Sequence, residues 1–502
     1  MSHIGKVKEP DFMNRYIKLS CVCILLLVCM LFAASCKKEQ KNHVCGEWIT
    51  VKEPTCQDKG IRSRVCTVCG EEETEEINIV AHKYNEVRHC IWCNKQEASE
   101  SLKYSLSSDG KSYLVTGYSG HKADVVIPCE YNGLPVSGIA DSAFEKNSVI
   151  TTLYIHSSMT SIGKNAFLEC RSLVSVSLPD SITKIGENAF LGCEKLLEVM
   201  NHTNIDLEKG SDENGCVAKY AKFIHSDSRS KIQNENGYLY FVDGDVSLLA
   251  YVGENKDIVL PDSLAGLKYE VYDKAFAYSS ITSVEITDGA AIVGNYAFAS
   301  CSSLAKVTLS ARETIFYASV FENCIFLKEV VIADHVTALG ESMFRNCASI
   351  KEITLPKSLV TLESSVFRFC TSLTRVEFLS PVREIGEYAF YGCTSLTDIV
   401  MAEGSGMIGM YAFASCSGLK TVELPASVSE IGDFAFYSCS SLESIKAPAE
   451  LAKIGNYAFK DCTALTKISY DKTMLKWGGI SKGVDWNANT GKIAVSCSDG
   501  TV

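Results

Sequence analysis

The stretch LKTVELPASVSEIGDFAFYSCSSL, residues 419–442, decides the fold. Around Val422 and Leu424 apolar and polar residues alternate, the pattern of a half-buried strand. Pro425 and Ser427 then turn the chain, Ile431 begins a second short apolar contact, and Gly432 permits a tight bend. Ala435-Phe436 and Cys439 lie three to four residues apart, so a short helical turn would aim Phe436 and Cys439 inward. The unit recurs ten times with a 23-residue period, starting at Ile150, Leu173, Ile281, Leu304, Leu327, Ile350, Leu373, Leu396, Leu419 and Leu442. Its phenylalanines form a ladder (167, 190, 298, 321, 344, 367, 390, 413, 436 and 459), and its cysteines a second one three residues further on (170, 193, 301, 324, 347, 370, 393, 416, 439 and 462). A fixed period of this size means a stacked-coil solenoid, because each unit buries its apolar side chains only against its neighbours. The expected fold class is therefore an α/β repeat solenoid of stacked parallel strands and short helical turns, its coils about 4.8 Å apart.

The pattern L-x-x-V-x-L-P-x-S-V-x-x-I-G-x-x-A-F-x-x-C-x-x-L, as it stands from Leu419 to Leu442, resembles the BspA-type leucine-rich repeat of bacterial surface proteins. The resemblance covers about residues 100–475; Tyr317 and Glu363 depart from it where glycine is usual. It implies a curved right-handed solenoid with a parallel sheet and a broad role in attachment to host proteins or cells. Fold does not by itself fix function.

Outside the repeats the chain divides by composition. Residues 1–36 read as a lipoprotein signal: Lys6, Lys8, Arg15 and Lys18 precede an apolar run from Leu19 to Ala34, and Ser35-Cys36 follows. The run is shorter than the roughly 20 apolar residues of a membrane-spanning helix. Cys36 directly after small residues resembles a bacterial lipobox, which implies lipidation at Cys36 and a lipid-anchored place in the bacterial cell envelope, exposed at the surface. Met13 would give a more typical signal length. Residues 37–98 form a tether and a cysteine-rich module, 99–200 a first repeat block with an entry hairpin, 201–257 an irregular insertion, 258–473 a second block and 474–502 a C-terminal cap. Asp109-Gly110 and Asp243-Gly244 each precede an apolar strand pattern that leads into repeats, so both segments read as entry hairpins of two tandem blocks sharing one continuous stack. Trp477 and Trp486 belong to the cap, without which the last coil would expose an unpaired edge.

The strongest chemical signal is Cys66-Thr-Val-Cys69 followed by Cys90-Ile-Trp-Cys93. Paired C-x-x-C knuckles match a zinc-ribbon-like site of four thiolates at about 2.3 Å, giving a structural zinc as the expected cofactor. His43, Cys45, Cys56, His82 and His89 are nearby rivals. The segment also resembles a small Cys/His repeat of secreted gut-bacterial proteins, which implies Cys56, Cys66, Cys69 and His82 as an alternative set. Disulfides or free thiols remain open readings in an exported protein. In each case the role is structural, since about 50 residues hold little core.

Composition narrows partners and chemistry. The 502-residue chain has a net charge of −12, which argues against nucleic acid, a partner that needs a basic stripe. Of 23 cysteines, ten belong to the ladder, where a small buried hydrophobe is the plain reading. Enzyme signatures fail: there is no H-E-x-x-H, Gly110-Lys111-Ser112 lacks the upstream glycine of a phosphate loop, and Gly479-Ile-Ser481-Lys-Gly483 sits in a glycine-rich cap. Asp243-Gly-Asp245 is better explained by turn chemistry than by calcium. No enzymatic role is expected. The remaining candidate is the outward strand face, where Glu329, Glu352, Glu377, Asp398 and Glu423 outnumber bases and would meet a protein ligand such as a host matrix or cell-surface protein. The membrane would be touched only through the N-terminal lipid. A structural envelope protein without a specific ligand, and a zinc-dependent interaction module, are the other readings.

Overall fold

The computed structural model describes residues 44–55, 58–80, 83, 98–227 and 229–502, in two units, 1–96 and 97–502. In the first, β1 (Ile49–Lys52), β2 (Gly60–Val65) and β3 (Glu72–Ile77) make an antiparallel sheet. Polar pairs decorate it: Lys59–Glu76 at 2.7 Å, Arg62–Glu75 at 2.7 Å and Arg64–Glu73 at 2.6 Å, with both guanidiniums over the Trp48 ring. Among the described residues of this unit, Cys66 is the one buried hydrophobic side chain. Among its described residues the sheet therefore has little apolar core.

The second unit is the solenoid. It opens on an antiparallel hairpin, β4 (Leu102–Leu106) and β5 (Tyr113–Tyr118), and β5 pairs in parallel with Leu134–Ile139. Thereafter each coil contributes a strand at the first apolar segment, as in Glu352–Leu355 beside Arg375–Phe378, and most add a two-residue strand at the second, as in Glu430–Ile431 beside Lys453–Ile454. Partners lie 23 residues apart in register, so core positions fall over core positions.

The short helical turn expected before each cysteine is not a helix. The segment is a run of tight turns in which every second amide leaves its own coil: Phe434, Phe436 and Ser438 donate to the carbonyls of Asn456, Ala458 and Lys460 in the next one. Ala435 and Tyr437 close turns on Gly432 and Phe434, and left-handed residues such as Phe434 (φ 56°) and Ser438 (φ 57°) allow the alternation. Phe436 and Cys439 still point inward, fully buried.

The phenylalanines stack as a column, with centroids 4.6 to 5.6 Å apart from Phe276 to Phe459. The ladder cysteines are free, and each thiol donates to a phenylalanine carbonyl of the preceding coil, as from Cys416 to Phe390 at 3.2 Å. That carbonyl already accepts the amide of Cys393, so the thiol fills its second lone pair. Burial pushes most of these thiols up, Cys370 to about 12; Cys301 is lowered, by hydrogen bonds from Cys324 and Ser279 and by the Lys195 ammonium.

The two blocks do not share one stack. The first block's strands end at Phe223–His225, and a new antiparallel set, Gln233–Glu235, Tyr238–Asp243 and Asp245–Tyr251, starts the second, with no ladder between them among the described residues. Their cores are separate, joined by a small cluster of Val174, Leu197, Leu239, Phe241, Leu249 and Ala250. Glu198, fully buried, ties the insertion down: it accepts from Ser175 Oγ (2.5 Å), Ser230 Oγ (2.6 Å) and the Lys231 amide (2.5 Å), and meets His225 Nε2 at 3.1 Å. At the far end Trp486 closes the phenylalanine column edge-on over Phe459, and Gly500–Thr501 folds back on the last strand, Ala494–Cys497.

Candidate functional site

The outward strand positions do line one face, but their charges are largely cancelled within it. Glu329 pairs with Lys306 at 2.7 Å and Glu423 with Lys446 at 2.6 Å, while Arg375 reaches both Glu377 (3.4 Å) and Asp398. Three of these four pairs join residues 23 apart, neighbours only because the coils stack in register. Among the described residues Glu352 alone of the five makes no ion pair. A shallow groove of about 450 Å³ runs over the later coils and includes Asp398, Glu403, Glu423, Lys446 and Asp471. Glu403 and Asp471 have no ion-pair partner among the described residues. The groove therefore carries four carboxylates against one ammonium, and its uncompensated acidity comes from two residues that lie outside the regular outward offsets.

A second surface feature was missed in the sequence analysis. Tyr388, Tyr411, Phe434 and Tyr457 stack along the turn edge at 4.8, 4.5 and 4.9 Å, and the Arg368 guanidinium sits 5.0 Å over Tyr388. Each stands two residues before a ladder phenylalanine, a signal visible in the sequence once the units are aligned. Mutual stacking covers the ring faces, so the line presents edges rather than open π surfaces.

Of the metal-site candidates the structure describes Cys66 and Cys69; Cys56, His82, Cys90 and Cys93 lie outside the described residues, as does Cys36. Gly70 (φ 74°) returns its amide to the Cys66 carbonyl at 2.9 Å, closing a tight turn that keeps both cysteines on one loop. Cys45 pairs with Cys66 across a β-bridge, but among the described residues no three His, Cys, Asp or Glu side chains gather as they would around a metal ion. Ser481 of the G-x-S-x-G stretch lies in a two-residue strand that follows the helix Met474–Gly478, the reverse of the strand–turn–helix order that exposes a nucleophile.

The family model described as BspA type leucine rich repeat region matches residues 135–212, 269–397 and 383–479, in six copies, and the chain belongs to that family. Among solved structures it is similar to a leucine-rich repeat protein from Bacteroides ovatus (23% identity, 79% of this chain and 99% of that one, TM-score 0.39). It is also similar to a leucine rich cell surface protein from Faecalibacterium prausnitzii (24% identity, 77% and 97%, TM-score 0.36). A third, a leucine-rich repeat protein from Eubacterium ventriosum, is 18% identical over 81% of this chain and 98% of that one, with a TM-score of 0.31. No curated protein shows significant similarity to the chain.

Proposed function

We propose that this member of the BspA-type family is a lipid-anchored protein of the bacterial cell surface that binds a protein ligand along its outward strand face. The observation that carries the reading is the groove over the later coils, where Glu403 and Asp471, without ion-pair partners among the described residues, stand beside Asp398 and Glu423. Stacked repeats offer extended surfaces of this kind to partners, and an acidic one favours a basic ligand. Lipidation at Cys36 would hold the chain to the membrane. A structural zinc held by Cys66, Cys69 and two further ligands, Cys90 and Cys93 or Cys56 and His82, would supply the N-terminal module with the staple its sheet lacks.

Immobilised host matrix proteins are the probes for binding. The full-length protein is expected to bind one of them in a salt-sensitive way, and reversal of Glu352, Glu403 and Asp471 to lysine to weaken that binding on the order of tenfold. Exposed charges contribute little to stability, so melting should hardly move. A partner bound equally well by the triple reversal places the site elsewhere.

Mass spectrometry tests the N-terminal assignments. The membrane-extracted protein should show an acylated Cys36 terminus and about one zinc per chain. An intact Met1 or Met13 terminus defeats the first, and disulfides among Cys66, Cys69, Cys90 and Cys93 without metal defeat the second.

A further inference from the structure

Lys195 breaks the repeat. It stands two residues after a ladder cysteine, where the other units carry Ser172, Ser303, Phe326, Ser349, Ser372, Ser395, Gly418, Ser441 and Ala464. In the fold that position lies at the junction of the two blocks, and the side chain is only 7% exposed. Its Nζ donates to the Ala275 carbonyl at 2.7 Å, across the junction. The acid next to it in sequence, Glu194, is taken by Lys274. Among the described residues no carboxylate lies within ion-pair reach of Lys195. A buried ammonium that feels the Cys301 thiol and the Lys274 ammonium but no carboxylate is costly, and burial draws its pKa down to about 8.

Lys195 lines a cleft of about 920 Å³ between the blocks. The walls come from corresponding places in the two halves: the segment after the first entry hairpin, with Tyr118, and the segment after the second, with Tyr251. Each tyrosine folds back over a glycine two residues on, Gly120 and Gly253, where an added Cβ would collide with its hydroxyl. Tyr278 closes a third side, held by Arg171, whose Nη1 donates to its hydroxyl at 2.6 Å. Lys122 and Lys256 stand at the cleft with Glu100 and Glu254, so among the described residues the lining, with Lys195, carries three ammoniums against two carboxylates in a chain of net charge −12. The volume falls within the range of small-molecule sites.

We propose that this cleft binds a small organic carboxylate, whose charged end pairs with the Lys195 ammonium and whose body lies among Tyr118, Tyr251 and Tyr278. The site is separate from the outward strand face and does not depend on the protein ligand proposed there. Two donors of Lys195 are left for the carboxylate once Ala275 has taken one, and pairing in so sheltered a place supplies the carboxylate that the described residues do not.

The test uses the intact protein and an amine probe. Pyridoxal 5′-phosphate forms an imine with neutral lysine, borohydride fixes it, and peptide mass spectrometry locates the label, with and without benzoate or glucuronate as test carboxylates. The lowered pKa leaves Lys195 with more of the neutral amine that imine formation needs, so Lys195 is expected to take the label. A bound carboxylate favours the ammonium and covers it, so either acid should slow labelling at Lys195 and leave Lys122 and Lys256 unchanged. Absence of label at Lys195 while Lys122 and Lys256 react would show an amine sealed in as a structural tie. Labelling that neither acid slows would equally overturn the proposal.

Discussion

Phe390→Ala is expected to cost roughly 3–5 kcal/mol and to loosen the solenoid locally. The ring is fully buried and stacks on Phe367 at 5.5 Å and Phe413 at 5.2 Å, with Phe378 edge-on at 6.4 Å. Alanine keeps the backbone bonds of the position: its amide can still reach Ala412, and its carbonyl can still accept the Cys393 amide and the Cys416 thiol. What disappears is the filler between two coils, so two nearest-neighbour interfaces weaken while distant ones do not. Hydrogen exchange should quicken at the amides of Phe367, Phe390 and Phe413 and stay slow around Phe190, which belongs to the other core. Unchanged exchange at the first three would contradict the role given to the ring.

Repetition is what made these positions legible. A residue that recurs every 23 positions meets copies of itself above and below, so the inward set could be read from one unit. The turn before each cysteine was harder. The spacing from Ala435-Phe436 to Cys439 is common to a helix and to consecutive tight turns, and both aim the same side chains inward. They differ in where the amides go, and the partners of Phe434, Phe436 and Ser438 lie in the next coil. The acidic stripe was over-read for a related reason. Lys306 and Glu329, or Glu423 and Lys446, are remote along the chain and adjacent only in register. Glu403, Asp471 and Lys195 stand off the regular offsets, and only folding shows what surrounds them. The single stack expected for the two blocks failed at the insertion, where buried Glu198 holds Ser230 and Lys231 to the first block before the second begins.

The glycine after the second apolar segment has a different reason from the bend first assigned to it, and the difference predicts a large effect. Gly432 has an ordinary φ, but a Cβ there would lie 2.8 Å from the Gly409 carbonyl carbon, 2.8 Å from the Ile408 oxygen and 2.9 Å from the Met410 nitrogen. All three are backbone atoms of the preceding coil, and Gly432 donates its own amide to Ile408 at 2.8 Å. The obstacle therefore cannot rotate away as a side chain would. Of the two coils that lack this glycine, that of Tyr317 keeps its short strand at Ile315–Phe316, and that of Glu363 keeps one bridge from Leu362 to Ile385. Gly432→Ala should accordingly push apart the coils that now touch there, at about 1–3 kcal/mol, the usual range for overpacking. Gly478→Ala, with nothing within 4 Å of the added carbon, is the control and should stay within about 0.5 kcal/mol. Thermal melting of the two variants decides the matter: equal stability would mean that the coils can separate freely at Gly432, and that the glycine serves the bend alone.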